Sequence, residues 1–102
     1  MEITEIKVFP VNEEKLKAYI TIVLDQCFVV RDLKIIAGVT GLFVAMPSKK
    51  RKDGSFKDIA HPLNQSTRAK MEQMILDAYL EEIRRIGGQA TQSAFEAESR
   101  DN

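Results

Sequence analysis

The chain holds one cysteine, one histidine and no tryptophan in 102 residues, and its fifteen basic and fifteen acidic side chains cancel. Each scarcity excludes something. Cys27 alone can form neither an internal disulfide nor a cysteine-only metal site, which fits a reducing compartment. His61 has no second histidine and no cysteine pair beside it, so it offers poor metal ligation, and neither a metal nor a cofactor is expected. No stretch approaches the roughly 18 apolar residues of a membrane span. A start carrying Glu2 and Glu5, without an apolar core, is no signal peptide. These absences predict a cytoplasmic protein with no membrane partner. Zero net charge also removes a high overall pI as a sign of nucleic-acid binding.

What is present is an ordinary globular composition, 44% hydrophobic and 29% charged, which suits a single small domain. A core of this size covers itself incompletely, so a partner copy is expected from the outset. The neutrality is also uneven. Residues 1–30 carry a net charge of −2, residues 31–70 carry +6 and residues 71–102 carry −4. A central basic segment of this kind can attract an anion locally, within a Debye length.

The apolar pattern changes period along the chain. Ile3 to Val11 is strand-like, with Ile6 and Val8 on one face, Ile3 and Phe9 on the other, and Pro10 marking an edge or an end. From Leu16 to Leu24 every even position is apolar, the alternation of a strand with one buried face. Asp25-Gln26 makes a short turn into a third strand, Phe28 to Ile36, so the two should form an antiparallel hairpin. Gly38 and Gly41 bracket another turn. The wholly apolar run Leu42 to Met46 then suits a strand covered on both faces, stopped by Pro47. A polar segment with Asp53-Gly54 predicts a hairpin that returns through a short strand, Phe56 to Ala60.

From Asn64 or Ser66, both competent N-caps, the spacing becomes helical through Ile86, with Gly87-Gly88 as the C-cap and Arg84-Arg85 in the last turn. The expected architecture is α+β: an antiparallel sheet of about five strands followed by one long C-terminal helix. Residues 1–86 are expected to form a single domain, and residues 87–102 a disordered C-terminal tail rich in Gln, Ser, Ala and Glu. Strand edges left free predict a homodimer with the sheet continued across two copies.

No constellation supports catalysis or a small-molecule substrate. Cys27, next to Phe28 and Val29, reads as a small apolar thiol in a strand. Glu81 and Glu82 are neighbours on a polar helix face, and Gly38-Val39-Thr40-Gly41 lacks the spacing of a phosphate loop. The cluster Lys49-Lys50-Arg51-Lys52 is different, because consecutive cations repel unless solvated or paired with an anion. Lys57 follows on the returning strand, and Arg68 and Lys70 stand in the first helical turn, against the macrodipole. A phosphate there would take the exposed N–H groups and these charges together, with His61 and Asn64 close enough in sequence to add contacts.

The run Phe28-Val29-Val30-x-Asp32-x-Lys34-x-Ile36-x-Gly38-x-x-Gly41-Leu42-Phe43-x-Ala45-Met46-Pro47-Ser48-Lys49, with Asp53-Gly54-x-Phe56-x-Asp58-Ile59-Ala60-His61-Pro62-x-Asn64 and Arg68, closely resembles the stage V sporulation protein G (SpoVG) family. The resemblance spans about residues 1–86. It implies a bacterial cytoplasmic dimer, linked to septation and sporulation, that regulates by binding DNA and in some members RNA. The positions matching the family's nucleic-acid contacts are Lys49, Lys50, Arg51, Lys52, Lys57 and Arg68. The rival expectation is a protein-interaction adaptor in cell division, for which the basic loop is only a solvated face.

Overall fold

The computed structural model describes residues 2–89. Strands β1 (Ile3–Pro10), β2 (Leu16–Leu24), β3 (Phe28–Gly38) and β4 (Gly41–Ala45) form a four-stranded antiparallel sheet in sequence order. Strands β5 (Ser48–Lys50) and β6 (Phe56–Asp58) pair separately, and helix α1 (Gln65–Gln89) closes the chain. The expected α+β class is observed, with six strands in place of about five: four in the main sheet and two in a separate ribbon. Pro47 is the dividing point: it is buried and, lacking an N–H, cannot continue a ladder.

The alternation of β2 decides the layers. Ala18, Ile20, Ile22 and Leu24 are buried and join Leu33, Ile35, Val44 and Met46 in the core, which Ile75 of α1 completes. The helix lies across this face, touching β1 and β4. The β2–β3 hairpin turns at Asp25 and Gln26, both at positive φ, with the Cys27 N–H donating to the Leu24 carbonyl at 3.0 Å. That is the twist-compatible form of a two-residue turn.

Of the three register shifts in the sheet, two bear on which residues face the core. A register shift between Ile3 and Glu5 brings Ile3 onto the core side with Ile6 and Val8, correcting the expected placement of Ile3 beside Phe9. A second shift lies opposite Thr21, where Asp32 takes a φ of 66°. This bulge turns Val30 and Leu33 toward the same face.

Other boundaries moved. β4 is an edge strand with Leu42 and Phe43 partly exposed, not a strand covered on both sides. Cys27 is exposed in the hairpin turn, not packed within a strand. The helix continues through Gly87 and Gly88 to Gln89, so these glycines do not cap it there and Arg84 and Arg85 lie before the last turn. Residues 90–102 of the expected tail lie outside the described residues. Arg84 instead pairs with Glu81 and Arg85 with Glu82, three positions back.

Candidate nucleic-acid interface

The ribbon begins where burial ends. Met46 and Pro47 are buried, every residue from Ser48 to His61 is exposed, and the Ile59 N–H donates to the Pro47 carbonyl at 2.8 Å to close the ribbon's base. Its tip is a three-residue loop, Lys52-Asp53-Gly54. The Gly54 N–H donates to Arg51 O at 3.0 Å, the Arg51 N–H donates to Ser55 O, and Gly54 adopts a φ of 93°. A turn followed by a glycine at positive φ is a standard way to close such a loop, and it fixes the register of everything behind it.

That register opposes Lys49 directly to Lys57, Lys50 to Phe56, and Ser48 to Asp58. Alternation then places Arg51 and Ile59 on the face of Lys49 and Lys57. Lys49, Lys50, Arg51, Lys52, Lys57 and Ile59 line one open concavity of about 370 Å³. No carboxylate lines it. Asp58 stands on the other face of the ribbon and meets Arg68 of α1 at 3.9 Å. Asp53 is occupied within the turn, where its Oδ1 accepts from the Ser55 hydroxyl at 2.6 Å and the Ser55 N–H at 2.9 Å. These bonds, the hydroxyl's first, hold the Asp53 carboxyl below its ordinary value. Like charges directly opposite one another destabilise a two-stranded pair, so Lys49 and Lys57 impose a cost that a bound anion would remove.

The remaining candidate residues lie around the start of α1. Asn64 is the N-cap: its Oδ1 accepts from the Thr67 N–H at 2.8 Å and from the Ser66 hydroxyl at 2.9 Å. Arg68, through Asp58, links the helix to the ribbon. His61 Nδ1 lies 2.9 Å from the Pro62 carbonyl. His61 and Lys70 sit at the rim of a different space, a cavity of about 550 Å³ floored by apolar side chains such as Ile22, Leu33, Met46 and Met71. The nine candidate residues thus fall into two groups. Five cations share the ribbon concavity, while His61, Asn64, Arg68 and Lys70 surround the helix start, joined to the ribbon through the Asp58–Arg68 pair.

Sequence reasoning missed Ile59 as a wall of the concavity and the face-to-face placement of Lys49 and Lys57. Counting outward from Asp53-Gly54 would have found the second. Among the described residues, no group of three or more His, Cys, Asp or Glu side chains is arranged to hold a metal, and no helix is long and apolar enough to cross a membrane.

Comparison with known proteins gives consistent matches. The SpoVG family profile matches residues 1–81. A Bdellovibrio bacteriovorus protein is 68% identical over 87 residues, covering 85% of this chain and 81% of its own. An Anaeromyxobacter protein (strain Fw109-5) is 72% identical over 85 residues, 83% of this chain and 88% of its own. An Agathobacter rectalis protein is 48% identical over 87 residues, 84% of this chain and the whole of its own. All three bear the name "Putative septation protein SpoVG".

Proposed function

The chain belongs to the SpoVG family, and from that premise we propose that it is a cytoplasmic, non-enzymatic regulator associated with septation and sporulation-type control. It acts by binding DNA, and RNA through the same phosphate chemistry, on its basic ribbon. The observation that carries this reading is the concavity lined by five cations and no carboxylate, with Lys49 facing Lys57. A phosphate backbone supplies the missing counter-charge, and Arg68, Lys70, His61 and Asn64 form a second group at the helix start, joined to the ribbon through the Asp58–Arg68 pair. Replacing Lys50 and Arg51 by alanine tests the reading: affinity for pooled genomic fragments and total RNA should fall for all sequences together, and its salt dependence should flatten. Unchanged affinity and slope in a folded variant would refute it.

The functional unit proposed is a homodimer formed at the free edge of β4. β1, the other edge, carries Glu5, Lys7 and Pro10, which discourage pairing, whereas Gly41–Ala45 is uncharged throughout. A dimer joined at β4 would present two ribbons, each leaving the sheet immediately beyond that edge. Light scattering at micromolar concentration should give twice the 11.5 kDa chain mass. A second reading, a protein-interaction adaptor in cell division, is favoured by one feature: Phe56, Ile59 and Leu63 are all more than two-thirds exposed around the ribbon. That reading predicts binding that is insensitive to salt.

A further inference from the structure

Helix α1 covers one face of the four-stranded sheet, and the opposite face carries a second set of features that the ribbon reading leaves unused. Because Ala18, Ile20 and Ile22 point into the core, Tyr19, Thr21 and Val23 point away from it. Their direct partners share that outer face. Phe9 is opposite Tyr19, Lys7 opposite Thr21, Glu5 opposite Val23, and Lys34 is opposite Tyr19 on its other side. Ile36 and Phe43 pair further along. Three of the chain's seven Phe and Tyr side chains therefore stand on one open sheet face, with Phe9 52%, Tyr19 40% and Phe43 45% exposed. The Phe43 ring lies across Gly38, where an added Cβ would come within 3.0 Å of it.

We propose that this face is a stacking surface for single-stranded nucleic acid, distinct from the ribbon. The proposal rests on the reading that the chain binds nucleic acid and assigns a second site and a strand preference to it. Phe9 and Tyr19, side by side on adjacent strands, and Phe43 two strands away offer flat apolar surface to unpaired bases, which duplex DNA keeps stacked inside. Lys7 and Lys34 lie among the rings, with Glu5 the acid on the same rows. This balance suits a polyanion. A second copy seated on the same face would set two patches of the same net charge, Lys7 and Lys34 against one Glu5, against each other, and so fits less well.

The test uses the full chain and two labelled probes, an oligo(dT) of about 15 nucleotides, within the usual site size of such surfaces, and a mixed-sequence duplex of similar length. Tyr19→Leu should weaken oligo(dT) binding by about tenfold, as loss of one stacking ring does. Phe9→Leu should do the same, Tyr19→Phe should retain affinity, and duplex binding should persist in all three. With no tryptophan present, tyrosine emission reports the site directly: oligo(dT) should quench the wild type and not Tyr19→Phe, because Tyr79 packs against the core.

Unchanged oligo(dT) affinity in folded Tyr19→Leu and Phe9→Leu would overturn the proposal while leaving the ribbon reading intact. The same holds if those variants lose self-association and keep oligo(dT) affinity, which would make the face a contact between copies. A wild type that binds neither probe would overturn both readings.

Discussion

Lys49→Glu should make the free protein better ordered and the nucleic-acid-binding protein worse. Lys49 and Lys57 are direct cross-strand partners in a ribbon that is exposed on all sides. Reversing one charge converts a repulsive pair to an attractive one, a change of roughly 0.2–1 kcal/mol at an exposed position. The gain is local to β5 and β6, because the ribbon's base is held separately by Pro47 and Ile59.

The effect on binding is larger and of opposite sign. If each of the five cations neutralises one phosphate, log affinity falls by about 4.5 per log unit of salt, and by about 3.6 with four contacts. Between 50 and 200 mM salt that is a loss of about 500-fold for the wild type against about 150-fold for the variant. Amide hydrogen exchange at Arg51, which donates to Ser55, reports the ordering, and fluorescence anisotropy over a salt series reports the slope. Slower exchange together with lower affinity and a flatter slope is the expected result. An unchanged slope would refute the assignment of Lys49 to a phosphate contact, and faster exchange would refute the claim that the pair strains the ribbon.

Ile75→Ala removes the fully buried side chain through which α1 enters the core, and should cost about 2–5 kcal/mol in urea unfolding. Asn64→Ala deletes the N-cap bond to Thr67 and should cost about 1 kcal/mol, with Asn64→Asp close to neutral. Cys27→Ser, in an exposed turn, should shift stability by less than about 0.5 kcal/mol, and the native thiol should react promptly with a thiol reagent. The Asp53 carboxyl is held below its ordinary value by Ser55, so its contribution to the turn is complete above the unfolded value and is lost as pH falls through the lower folded one. The Ser55 amide resonance should accordingly titrate with a midpoint below that of an unstructured aspartate.

How much of this was legible in the sequence depended on whether a feature is local. β2 declared itself through strict alternation over Leu16–Leu24, and its hairpin through the short link at Asp25-Gln26. Helix α1 declared its face through Met71, Ile75 and Tyr79 and its start through Asn64. The bulges at Ile3–Glu5 and Asp32 were not legible, because a bulge is a relation between two strands and neither sequence carries it alone. The expected stop at Gly87-Gly88 failed for a related reason: glycine permits the left-handed cap without requiring it, and the helix runs on. In the candidate site the cations could be read directly. The diversion of Asp58 to Arg68 and of Asp53 to Ser55 could not, since both depend on which face each carboxylate takes.

That diversion explains how a chain of zero net charge can present a concavity whose charged lining is all cationic. The segment from Ser48 to Asp58 contains two carboxylates, enough to offset part of its charge, yet neither lines the space where Lys49, Lys50, Arg51, Lys52 and Lys57 meet. One closes the turn and the other ties the ribbon to the helix, so each acid that holds the shape is also kept off the cationic face. The repulsion left behind falls on exposed residues outside the core formed by the sheet and Ile75. Charge can therefore be concentrated in the ribbon with little effect on global stability, and substitutions there should change binding and local order while leaving the unfolding midpoint nearly fixed. Substituting Asp58 is the exception to that separation. Asp58→Asn adds no cation to the concavity but releases Arg68 from its partner, so it should raise nucleic-acid affinity and steepen the salt slope while loosening the ribbon from α1. A slope that stayed at the wild-type value would show that Arg68 stands outside the phosphate-binding surface.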